Sequence, residues 1–105
     1  MEALEYKQFI DNILNTRGRF GLPKDTYQEK HHILPRCQGG TDEKSNLIAL
    51  TAKEHFRAHW LLAKENPDNL SLQYALYFTT VANKSTPNRY KPTEEERIYL
   101  KNLMS

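Results

Sequence analysis

All four histidines of this 105-residue chain fall between residues 31 and 59, in a stretch too short to bury a core of its own. His31 and His32 are consecutive in a segment, Tyr27 to Leu34, that reads as a short strand ending at Pro35. Neighbours on a strand point to opposite faces, so these two cannot share one role. His55 and His59 are four apart, in a segment opened by Thr51 with Glu54 three residues later, the pattern of a capping box. On a helix running to about Lys64 they project from one face and can bind one metal ion. Two exposed helix histidines would show the same spacing, so the pair alone decides nothing.

The rest of the chain supplies what this stretch lacks. Tyr6, Phe9, Ile10, Ile13 and Leu14 make one apolar stripe on a helix over residues 3–16, which Gly18 would stop. Gly39-Gly40-Thr41-Asp42 is loop chemistry, and residues 46–50 read as a second short strand. The two strands imply a hairpin with a long irregular loop. A second helical pattern covers Leu70 to about Asn83, with Leu72, Ala75, Leu76 and Thr79 on one face. Thr93 and Glu96 form another capping box, opening a terminal helix over residues 93–104 that presents Ile98, Leu100 and Leu103. Trp60, Leu61 and Leu62 are expected to pack. The hairpin must lean on helix 52–64, and the class is α+β.

Size and charge narrow the function. A chain of this length forms one domain that buries roughly two-thirds of its unfolded surface, so a large substrate must be bound on the outside. Cys37 is the sole cysteine, so no internal disulfide is available and an intracellular location is expected. No apolar run approaches the roughly 20 residues of a membrane span, and the first residues do not form a signal segment. Arg17, Arg19, Lys24, Lys30 and Arg36 outnumber Asp25 and Glu29 over residues 17–37, while residues 70–92 hold Lys84, Arg89 and Lys91 with no acid. Two such stretches suit a polyphosphate partner. The net charge of +2 equally suits an ordinary mixed surface.

Taken together, Glu29-x-His31-His32-Ile33-x-Pro35, Gly39-Gly40-x-Asp42-x-x-Ser45-Asn46-Leu47 and His55-x-x-x-His59 resemble the HNH nucleases, also called His-Me or ββα-metal finger nucleases. The match covers residues 29–59. Asn46 stands nine residues before His55 and His55 four before His59, a spacing similar to the colicin-type DNase branch. The run from His31 to His59 is also similar to small free-standing HNH endonucleases of phage genomes.

This resemblance implies a ββα-metal core over residues 29–64 and a role for each histidine. His31, His55 and His59 would ligate one divalent ion, leaving a coordination position open. His32 would be the general base, a role an imidazole suits near neutral pH. Asn46 would pin the loop between the strands and help orient the base. Glu29 matches an acidic residue of the family that positions a basic group or a water; a surface position on the strand is the other reading. Lys30, Arg36 and Arg57 are candidates for gripping phosphates, each equally readable as a solvated charge, and Arg57 lies on a different helix face from the ligands. A structural site of three histidines and Cys37 would leave His32 without a task.

The reading is one domain acting as a metal-dependent DNA endonuclease on double-stranded DNA, with no membrane and no obligatory protein partner, nicking as a monomer, a dimer being the route to double-strand cutting. Its products would carry 5′-phosphate and 3′-hydroxyl ends. The ion is Zn, Ni, Mn or Mg, since imidazoles favour the softer metals while Mg can serve with added waters. One rival is a non-catalytic nucleic-acid-binding module that keeps the metal as a structural element. The other is a toxin-type nuclease with a neutralising partner.

Overall fold

The computed structural model describes residues 5–104. Its order is α1 (Glu5–Thr16), β1 (Glu29–His32), β2 (Leu47–Leu50), α2 (Ala52–Glu65), α3 (Leu70–Phe78) and α4 (Glu94–Met104), the α+β class expected. Residues 3 and 4 of the anticipated first helix lie outside the described residues. That helix ends as anticipated at Gly18, whose φ of 82° suits only glycine well and whose N–H donates to the Ile13 and Leu14 carbonyls, a left-handed C-terminal stop.

The strands are antiparallel and in register Glu29↔Leu50, Lys30↔Ala49, His31↔Ile48 and His32↔Leu47. Each is shorter than the sequence pattern suggests. Beyond His32 the Asn46 side chain takes over, accepting from the Leu34 N–H and donating to the Leu34 and Thr41 carbonyls. Gly40 belongs to the same loop, and a side chain there would fall on the Leu34 carbonyl oxygen. The outward edge of β2 is covered by the connector after α1. The Ala49 N–H donates to the Arg19 carbonyl, and Arg17 and Arg19 donate to the Ala49 and Leu47 carbonyls. Arg17 also grips Glu54 through both carboxylate oxygens, at 2.8 and 2.9 Å. These two arginines, counted above as part of a basic patch, therefore serve the fold.

A single residue, Thr51, separates β2 from α2, and it forms the anticipated capping box with Glu54. One apolar cluster joins Tyr6, Ile10 and Ile13 of α1, Ile48 and Leu50 of β2, Ala58, Leu61 and Leu62 of α2 and Leu72 of α3. A second cluster, on the far side of α2, joins Phe56, Ala63, Leu76 and Leu100, with Trp60, Tyr90 and Leu103 against it. Each fully buried leucine or isoleucine contributes about 1.5–3 kcal/mol. This packing holds the two-stranded sheet against α2.

Two helices depart from expectation. Helix α3 stops at Phe78 rather than near Asn83, because Thr79 and Thr80 turn their hydroxyls back onto the Leu76 and Tyr77 carbonyls and compete with helix continuation. In α4 the Thr93–Glu96 box is present and Leu100 is buried, but Ile98 is 55% exposed: the helix turns Leu100 and Leu103 inward, and Ile98 lies off that face.

Candidate metal centre

β1 and α2 bring three of the four histidines together. His31 and His55 are buried and His59 nearly so, and one ring nitrogen from each lies within 4.8 Å of the others, a candidate metal site. The ring centroids are 4.8–5.1 Å apart.

Hydrogen-bond bookkeeping fixes which nitrogens are available. The Tyr6 hydroxyl has one proton and donates it to the Ile33 carbonyl at 2.7 Å. Its 2.7 Å bond with His31 Nε2 must then be donated by the ring, which places the His31 proton on Nε2 and the lone pair on Nδ1. That Nδ1 is buried with no partner. His55 Nδ1 lies 2.6 Å from Glu29 Oε1; the carboxylate can only accept, which places an N–H on Nδ1 and makes Nε2 the nitrogen left for a cation. His59 Nδ1 is also buried and unpartnered. Burial, reinforced by the neighbouring histidines, holds the His31 imidazole well below its usual pKa and pushes His59 down to about 3. A neutral imidazole is the form a cation requires, and burial favours it at His31 and His59. The residues therefore fit a divalent ion, and Cys37, which is exposed, is not among them.

Glu29 is 5% exposed, which overturns the surface reading. Burial raises its carboxyl, yet the bonds from His55 and from the Tyr27 hydroxyl prevail and hold it below the usual carboxylate range. Arg89 adds to this: its Nε stands 3.6 Å from Glu29 Oε2, an attraction of charges longer than a hydrogen bond. In the sequence Tyr6 reads as part of an apolar stripe and Arg89 as part of a basic stretch, and nothing places either of them, or Tyr27, at this centre. Period-two alternation does place Glu29 on the face of His31, but no local pattern points to groups so far along the chain.

The three clustered histidines line a cleft of about 330 Å³ together with Lys30, His32, Pro35, Arg36, Ser71 and Ala75. His32, on the other face of β1, still borders this cleft. Its Nε2 is 2.8 Å from Asp42 Oδ1, which also accepts from Arg36 Nε at 2.8 Å. Those bonds, Arg36 first, keep the Asp42 carboxyl below its ordinary value. An ionised Asp42 can only accept, so the His32 proton sits on Nε2 and Nδ1 is left to take another. Asn46 acts on His32 through the loop it pins. Arg57 is not brought to the cleft; two positions past His55 on a helix it is turned most of the way round, and it lines shallow grooves with Phe56 and Trp60 and beside Leu61.

Comparison with known proteins bears on this centre. The chain is 39% identical over 98 residues to "Probable mobile endonuclease E" of Enterobacteria phage T4, covering 93% of this chain and 69% of that protein. It belongs to the family of the phage T4 mobile endonucleases. A second member, "Probable mobile endonuclease D", is 59% identical over 75 residues, but these make up 29% of its length. "Probable mobile endonuclease C" is 34% identical over 89 residues, or 42% of its length. The chain thus spans less than half of some relatives in this family. No family model matches it, and no solved structure does.

Proposed function

We propose that this family member is a metal-dependent HNH endonuclease that hydrolyses phosphodiester bonds of double-stranded DNA inside the cell. The observation that supports it is the pairing, in one cleft, of three clustered imidazoles with a fourth that is hydrogen-bonded to a carboxylate. Residues 29–64 form the working core, within one domain made with the flanking helices.

His31, His55 and His59 would hold a divalent ion, which would supply positive charge that stabilises the phosphate as it is cleaved. His32 takes the proton of the attacking water on Nδ1 while Asp42 holds its Nε2 proton. Glu29 orients His55, and Asn46 keeps the loop that carries Asp42 in place. Lys30 and Arg36, exposed at the rim, attract the phosphates. The products carry 5′-phosphate and 3′-hydroxyl ends. One such centre cuts one strand per encounter, so a monomer nicks, and double-strand breaks take two copies or two events. The ion is Zn, Ni, Mn or Mg.

Supercoiled plasmid incubated with wild type, His32→Ala and His59→Ala across these four metals tests the reading. Relaxed circles from wild type alone, with the ion retained by His32→Ala and lost by His59→Ala, are expected. Plasmid left intact by wild type under every metal overturns it and favours a binding module.

A further inference from the structure

Helix α3 has a buried side, Leu72, Gln73 and Leu76, and a side left exposed among the described residues. Tyr74 is 47% exposed and Phe78 53%. Residues three, four and seven apart share a helix face, so Ser71, Tyr74, Ala75 and Phe78 form one continuous arc. Ser71 and Ala75 are walls of the histidine cleft. The two aromatic rings therefore begin where the cleft ends.

Arg89 fastens the far end of this arc to the centre. Its Nη1 donates to the Phe78 carbonyl, while its Nε faces Glu29. The helix and the connector after it, residues 70–92, contain no acidic side chain, and besides the engaged Arg89 they carry the exposed Lys84 and Lys91. An apolar protein partner has no need of that one-sided charge, whereas a polyanion does. The facing rim of the cleft carries Lys30 and Arg36.

Resting on the nuclease reading above, we propose that this arc is a groove-contacting surface for duplex DNA, with Tyr74 and Phe78 lying against bases and sugars beside the cut site. Apolar and aromatic side chains set against base steps in the minor groove hold the duplex by contact that is largely indifferent to sequence, and they kink it toward the major groove. The cations steer the backbone and the rings hold it. Contact of this kind adds affinity without adding salt dependence.

The test uses full-length, metal-loaded protein carrying His32→Ala, so that the probe stays intact, and a fluorescent duplex of about 30 base pairs read by anisotropy over a salt series. Adding Tyr74→Ala and Phe78→Ala should weaken binding roughly tenfold, with an unchanged slope of log Kd against log salt and an unchanged melting temperature. Tyr74→Phe with Phe78→Trp should restore it. Equal affinity in the double alanine variant overturns the proposal, as does a loss confined to the salt slope. A shift from dimer to monomer in sedimentation, with binding intact, shows the face to be a self-association surface and overturns it as well. If wild type relaxes plasmid but the His32→Ala protein binds no duplex, this surface falls and the nuclease reading stands. If wild type relaxes no plasmid, the nuclease reading itself has failed.

Discussion

Glu29 and His55, 26 residues apart in sequence, meet as a buried carboxylate and imidazole at 2.6 Å. A carboxylate on β1 thus orients an imidazole on α2, the arrangement by which a carboxylate raises ligand basicity. Glu29→Gln should therefore weaken binding of a divalent ion at least tenfold, as read by titration calorimetry with Zn²⁺ or Ni²⁺. Unaltered affinity would remove Glu29 from this role.

Tyr6 performs the same service for His31 from the first helix. Tyr6→Phe leaves the Ile33 carbonyl and His31 Nε2 without their partner, and should cost about 1–3 kcal/mol in urea unfolding. A loss below the error of the measurement would show that water replaces the hydroxyl.

Asp42 holds the His32 proton while lying exposed on the loop. Asp42→Ala should slow plasmid relaxation roughly tenfold, a fraction of what a general base contributes, and leave metal affinity as in wild type. A fall in both would indicate that the loop, and not the base, had been disturbed.

The Arg17–Glu54 pair predicts a pH dependence. The bonds from Arg17 hold the Glu54 carboxyl below its ordinary value in the folded protein, so the pair stabilises fully above the usual glutamate range and its contribution is lost as pH falls through the lowered value. Glu54→Gln preserves the capping box. It should cost about 0.5–1 kcal/mol at neutral pH, a deficit that shrinks toward zero in acid. Thermal melts at pH 7 and pH 3 measure it, and a deficit of equal size at both would mean that the ionic part contributes nothing.

The local parts of the centre are legible in the sequence. A capping box and a four-residue spacing are contained in Thr51-Ala52-Lys53-Glu54-His55 and the turn after it, and they recur in the structure as written. The supporting groups are not local. Tyr6 lies 25 residues from His31, Asp42 lies ten from His32 in an irregular loop, and Arg89 arrives from the connector before α4. Only tertiary packing makes them neighbours. Arg17 and Arg19 illustrate the converse: a run of cations looks free in sequence because the carbonyls and the carboxylate that occupy it come from residues 47–54.

The single residue between β2 and α2 works as a clutch between two periodicities. Strand residues alternate every two positions and helix residues turn about 100° each. Adding or removing one residue at Thr51 would swing His55 and His59 by that angle, away from His31. A change of length in the loop of residues 33–46 would shift the histidines far less, since Asn46 gathers that loop from its end. The junction at Thr51 sets the phase of the whole centre.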